Sequence, residues 1–226
     1  MKKLIVITLL LVSIFSKAQT NEPRSLKLGV HIGRSQSHVA EANTIDGNEG
    51  TTVPLFHTML NQFGVGASLG SLRFPQFQYN LSIGYQSLET AYNDENNWII
   101  DGYNMPVLYL KSGMAFSIPL NERWKIIPSV NAAFNLNLDK SLGFEEWSIH
   151  YTTERYFVTL NPALELQINT DGAWFLSLYA EYQYGFSPVI SAYYPIPGEG
   201  ESKLSTYEGI AMNFGLKLSY CLPCQE

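Results

Sequence analysis

Charge is scarce in this chain. Only 15% of its 226 residues are Asp, Glu, Lys or Arg, against ~25% in ordinary soluble domains. The charge present leans acidic, with 14 basic residues against 20 acidic ones, and no basic patch marks a nucleic-acid partner. Cysteine is nearly missing. Cys221 and Cys224 are the only two, too few for a disulfide framework and, by themselves, for structural zinc. Beyond Phe15 no apolar run approaches the ~20 residues a spanning helix needs. Gly-rich phosphate loops and metal-ligand spacings are also lacking, so no cofactor or metal is expected.

Aromatic residues are plentiful, at 13% with fourteen tyrosines. Few charges, many aromatics and no long apolar segment after the first residues suit a membrane-spanning barrel better than a soluble globule. Met1 to Ala18 carry an export pattern: Lys2 and Lys3, the apolar stretch Leu4 to Phe15, then Ser16-Lys17-Ala18 with small residues flanking a cleavage site. Residues 1–18 therefore read as a signal peptide and 19–226 as one barrel domain. Removal of the leader takes three lysines and makes the remainder more acidic.

The apolar residues that follow alternate with polar ones in runs of period two, the pattern of strands with one greasy and one wet face. Eight such runs are expected near 25–34, 61–70, 76–88, 103–118, 123–137, 154–168, 173–186 and 207–220. The third is the clearest. Phe77, Tyr79, Leu81, Ile83 and Tyr85 take every other place, with Gln78, Asn80, Ser82, Gly84 and Gln86 between them. Because a slip of one residue turns a strand inside out, eight coherent runs are strong grounds for a sheet with two distinct faces.

Short and long connections alternate. Ser71 to Pro75, Pro119 to Glu122 and Asn169-Thr170-Asp171-Gly172 are short, the last holding the Asp-Gly of a tight hairpin. The connections after the first, third, fifth and seventh runs are long and polar. Outer-membrane barrels pair short periplasmic turns with longer outside loops, so both termini are expected in the periplasm. Aromatics near strand ends, among them Trp124, Trp174 and Tyr220 beside the turns and Tyr103, Tyr182, Tyr184 and Phe186 toward the loops, fit two interfacial girdles.

The competing architecture is a soluble, lipocalin-like barrel with an apolar interior. Its exterior needs Lys and Glu, whereas the polar faces here are mostly Gly, Ser, Asn, Gln and Ala. The expectation is an all-β, eight-stranded antiparallel up-and-down transmembrane barrel with a filled polar lumen. Pro106, Pro128 and Pro162 fall inside expected strands, where each removes a ladder donor.

An eight-stranded barrel is about wide enough for side chains to fill. The alternation points Lys27, Lys111, Glu165, Glu181 and Lys217 inward. Unpaired charges in so tight a space are costly, so mutual salt bridges and hydrogen bonds, with a structural role, are expected. The same charges admit a second reading, as a path for protons or ions. Glu146, Ser148 and His150 in the third long loop hold the residue types of a hydrolase, but not the His-x-Ser order of lipid A deacylases, and no enzymatic activity is expected. His38 and His57 stand alone. Cys221-Leu-Pro-Cys224 ends the chain beyond a strand rather than opening a helix, so a local disulfide between Cys221 and Cys224 is favoured over redox chemistry.

Three segments carry a family resemblance: Tyr103 to Lys111, Leu160 to Leu166 and Phe214 to Tyr220. With them the chain resembles the small outer-membrane β-barrel proteins of Gram-negative bacteria, the OmpA/OmpX-like group, and is most similar to the PorT-like barrels. The resemblance implies a cell-outer-membrane location and barrel fold, with roles ranging from secretion machinery to adhesion or envelope integrity. The expected function is structural, adhesive or partner-binding through the long outside loops, with lipid around the wall. Ser187 to Thr206, with Tyr193-Tyr194-Pro195 and the Gly198-Glu199-Gly200 tip, is the loop singled out for a partner. The alternatives are a PorT-like secretion subunit, a carrier of small apolar molecules through the wall, and a lipid A-modifying hydrolase.

Overall fold

The computed structural model describes residues 25–38, 57–71, 74, 76–94, 97–99, 104–139, 143–146, 149–170, 173–196, 200–207 and 210–223. The expected signal peptide, residues 1–18, lies outside them. Fourteen strands follow in order: β1 (Ser25–His38), β2 (His57–Gly70), β3 (Phe77–Asp94), β4 (Asn97–Ile99), β5 (Asn104–Phe116), β6 (Ile118–Pro119), β7 (Trp124–Asn137), β8 (Gly143–Glu146), β9 (Ile149–Thr153), β10 (Tyr156–Asn169), β11 (Trp174–Gly185), β12 (Ile190–Ile196), β13 (Gly200–Tyr207) and β14 (Ala211–Pro223).

Eight of them, β1, β2, β3, β5, β7, β10, β11 and β14, pair antiparallel with their neighbours, and β7 pairs with β10 to close the ring. The stagger of that ring can be followed residue by residue. From Phe175 the pairing runs through Ser219, Gly29, Gly66, Ser82, Lys111, Ala133 and Thr159, and returns to β11 at Gly185, ten residues further on. A stagger of this size tilts the strands by about 40° and leaves an interior that side chains fill.

The polarity of the wall follows the alternation. Val30, Ile32, Val65, Leu81, Leu178 and Phe214 stand half or more exposed on the outside, while Asn135, Thr159, Asn161, Ser177 and Asn213 are buried inside. Large apolar side chains fully in contact with solvent are unfavourable in water and at ease in hydrocarbon. The wall is therefore that of a membrane-spanning barrel, and the lipocalin-like arrangement is the reverse of what the structure holds. Aromatic pairs mark both rims. Trp174 packs edge-on against Tyr220, with Phe77 against Phe116, at the turn end; Phe134 stacks on Tyr156, and Tyr184 meets Phe186, at the loop end.

Pro106, Pro128 and Pro162 are accommodated in the barrel strands without a register shift. Pro128 sits opposite the break between β5 and β6, whose pairings with β7 continue one register. Pro162 coincides with an interruption of the β10–β11 ladder between Leu160–Tyr184 and Ala163–Glu181. Pro106 lies at the end of the β5–β7 ladder, where its carbonyl accepts the Leu138 N–H at 2.8 Å.

Several boundaries differ from expectation. β1, β2 and β3 run beyond the apolar alternation, to His38, from His57 and to Asp94. The last strand is shifted toward the chain end, 211–223 rather than 207–220, so Cys221 belongs to it. The third and fourth long connections are not loops throughout. β8, β9, β12 and β13 form a separate four-stranded sheet in the order β13-β12-β9-β8, and Tyr193-Tyr194-Pro195 lies in β12. The 197–199 tip, Tyr103 and the first long connection between β1 and β2 lie outside the described residues.

Candidate functional site: the lumen and the sheet above it

Two ion pairs cross the lumen. Lys111 on β5 meets both carboxylate oxygens of Glu181 on β11 at 2.7 Å, although β7 and β10 separate those strands in the wall. Glu181 also accepts hydrogen bonds from the side-chain amides of Asn161 and Asn213, each at 3.2 Å. Four donor contacts on one carboxylate supply the compensation a buried charge requires. Nearer the turns, Lys217 meets Glu165 at 3.0 Å, and Gln167 donates to the other Glu165 oxygen at 3.4 Å.

Lys27 is the exception among the five charges expected in the lumen. It donates to the neutral Gln167 Oε1 at 3.2 Å and lies 4.6 Å from the centroid of the Phe175 ring. Among the described residues it has no carboxylate at salt-bridge distance. Lys27 is thus held by a hydrogen bond and an aromatic face, and the other four charges by two ion pairs.

Above the ion pairs sits a cluster that charge reasoning alone did not single out. The Tyr109 hydroxyl and His31 Nε2 lie 2.6 Å apart, the hydroxyl reaches the Phe63 carbonyl at 3.4 Å, and the Tyr179 ring meets His31 edge-on. The signal was available in the alternation, which puts both tyrosines on the polar face. Glycine makes room for them. A Cβ on Gly84 or Gly64 collides with the Tyr109 hydroxyl, and one on Gly33 or Gly215 collides with the end of Tyr179. A cavity of about 90 Å³, lined by His31, Gln62, Asn131, Tyr179 and the two ion pairs, remains between these layers. It is polar and large enough for a few waters.

The loop end of the lumen changes character. Met105, Val107 and Phe157 occupy inward positions and are all but inaccessible, as are Val189 and Ile190 where the chain enters β12. Side chains at an open mouth meet solvent, and these do not. The outer sheet is rooted at the same level. The Glu154 N–H donates to the Val189 carbonyl at 2.9 Å, and Asn137 Nδ2 to Thr153 Oγ1 at 3.2 Å. β9, from the β7–β10 connection, pairs with β12, from the β11–β14 connection, so the two connections form one unit.

Glu146 and His150 lie on the paired strands β8 and β9, where Glu146 pairs with Ile149 and His150 with Glu145; Ser148 lies outside the described residues. No group of three or more His, Cys, Asp and Glu placed to hold a metal occurs among the described residues. Cys221 occupies an inward position of β14 opposite Lys27, and Cys224 lies outside the described residues.

Solved structures share this architecture. The outer membrane protein OprG from Pseudomonas aeruginosa is 9% identical, with a TM-score of 0.56 over 91% of this chain and 99% of that one. A major outer membrane protein from Thermus thermophilus is 10% identical, with a TM-score of 0.50 over 89% of this chain and 100% of that one. At such identities the likeness carries the fold alone. No family model and no curated protein matches the sequence, so the likeness stands at the level of the small outer-membrane barrel fold.

Proposed function

We propose that the protein is an outer-membrane barrel, closed to solutes, that carries a rigid sheet on its outer side for contact with a partner or surface. Its short turns and both ends of the barrel domain face the periplasm. The observation that carries this reading is the joining of two long connections through β9 and β12 above a lumen crossed by ion pairs. A filled lumen leaves no path for ions. A sheet rooted in the wall, in contrast to a mobile loop, presents its surface at little entropic cost on binding. The apolar exterior places lipid around the wall, and no step of this reading requires catalysis.

Planar-bilayer recording joined to loop replacement tests it. The purified protein is expected to give no unitary conductance. Replacing residues 190–207 with a short Gly-Ser linker is expected to leave the barrel folded and to abolish attachment of whole cells to the surface or partner they recognise. A steady open channel in the unaltered protein contradicts the reading.

A second reading, passage of small apolar molecules through the wall, rests on the ladder interruption at Pro162. Its inner side is filled by Asn161, Glu181 and Gln183, all buried and polar, which an apolar solute would have to displace. A secretion-subunit role is distinguished by crosslinking in cells, where it predicts one stable stoichiometric complex.

A further inference from the structure

The four charged side chains around the lumen cavity cancel. Lys111 is matched by Glu181 and Lys217 by Glu165, and all four line the space. Much of the remaining wall is small and hydrogen-bonding: Ser68, Asn80, Ser82, Ser129 and Asn131. Such a wall favours neither an anion nor a cation. It suits a neutral guest that both donates and accepts hydrogen bonds.

Two polar side chains of the lining call for such a guest. Gln62 is 5% exposed, and its Oε1 has no hydrogen-bond partner among the described residues. The buried Tyr179 hydroxyl is in the same position, and both residues line the cavity. A polar atom taken out of water carries its full desolvation cost unless something meets it. Gln62 Oε1 only accepts, whereas the Tyr179 hydroxyl donates and accepts. At about 90 Å³ the cavity is several times the roughly 10–15 Å³ that admits one water, and cavities that stay dry are apolar. This one is not.

We propose that the cavity is a binding site for an ordered cluster of water molecules, anchored on Gln62 Oε1 and the Tyr179 hydroxyl and lying between the two ion pairs. Water is then part of the packing of the lumen, in place of the side chains that fill it elsewhere. The cluster does not continue to the outer side. Met105, Val107 and Tyr109, toward the loop end, are 1% exposed or less, so the hydrated space stops beneath them. The assignment is independent of any role of the outer sheet.

Crystals of the unaltered protein, diffracting well enough to show ordered solvent, test the site directly. At least two waters are expected in the cavity, one within hydrogen-bond distance of Gln62 Oε1 and one of the Tyr179 hydroxyl. Under xenon pressure no xenon is expected there, because xenon enters dry apolar cavities. Urea unfolding of Tyr179→Phe in lipid vesicles gives an independent reading, since the variant removes a single oxygen. If water meets that oxygen, a hydrogen bond is lost and the midpoint falls by about 0.3–1 M. If nothing meets it, a buried orphan is removed and the midpoint rises. Heat-modifiable migration on gels establishes that the variant is folded, and the crystals decide alone if it is not. The proposal is overturned by a cavity without solvent density where waters are seen elsewhere, by xenon bound in it, or by a Tyr179→Phe midpoint at or above that of the unaltered protein.

Discussion

Lys111 on β5 and Glu181 on β11 meet at 2.7 Å across the lumen, although β7 and β10 lie between their strands in the wall. The pair is a strut and not a neighbour contact. Lys111→Met leaves the Glu181 carboxylate buried with amide donors alone and is expected to destabilise by about 3–5 kcal/mol. Glu181→Gln is expected to do the same from the other side. The double variant Lys111→Met/Glu181→Leu, which removes both charges, is expected to be more stable than either single one. Urea unfolding in lipid vesicles reads all three, and additive losses contradict the coupling.

The glycine notch under Tyr109 gives a second prediction. Gly84→Ala puts a methyl group against the Tyr109 hydroxyl and the Phe63 carbonyl, and overpacking of this kind costs about 1–3 kcal/mol. Tyr109→Leu in the same chain is expected to return part of that loss. A Gly84→Ala barrel as stable as the unaltered one shows that the notch has slack.

Pro162 supplies a third. Substitution by Val provides an N–H where the β10–β11 ladder is interrupted in register. The gain expected from one added hydrogen bond is about 0.5–1.5 kcal/mol. Slower amide exchange at Tyr182 and Gln183 is the accompanying signature. Unchanged exchange there means that the proline is not what opens the ladder.

The two faces of the wall also differ in what they tolerate. Leu178→Arg, on the lipid side, is expected to cost about 2–4 kcal/mol if it lies near the bilayer midplane. Leu222→Arg, at the end of β14 beside the aqueous rim, is expected to cost far less. Equal penalties contradict the depth assigned to these residues.

The parts of this fold that sequence revealed are those where the two faces meet different media. Phe77 to Tyr85 alternate cleanly because one side meets lipid and the other a polar interior. His57–Leu60 and Leu88–Asp94 continue the same strands in pairing, although the clean apolar–polar alternation does not extend through them. β8, β9, β12 and β13 went unread because their short sequences carry no comparable alternation. Met105 and Val107 invert the rule, being apolar on the lumen side, because the mouth is covered. The partners of the inward charges were harder to read than their direction. Lys111 finds Glu181 and Lys27 finds Gln167 through the stagger of the closed ring, which no single strand encodes.

The polarity of the wall is tested most directly by site-specific labelling with quenching lipids. Single cysteines, introduced with Cys221 and Cys224 replaced, carry a small fluorophore at Val30, Leu178 and Leu216 on one face, and at Asn131, Ser177 and Asn213 on the other. In vesicles with spin-labelled acyl chains, strong quenching is expected at the first three and weak quenching at the last three. The opposite pattern, or equal quenching on both faces, contradicts a barrel with hydrocarbon outside and a polar, filled interior.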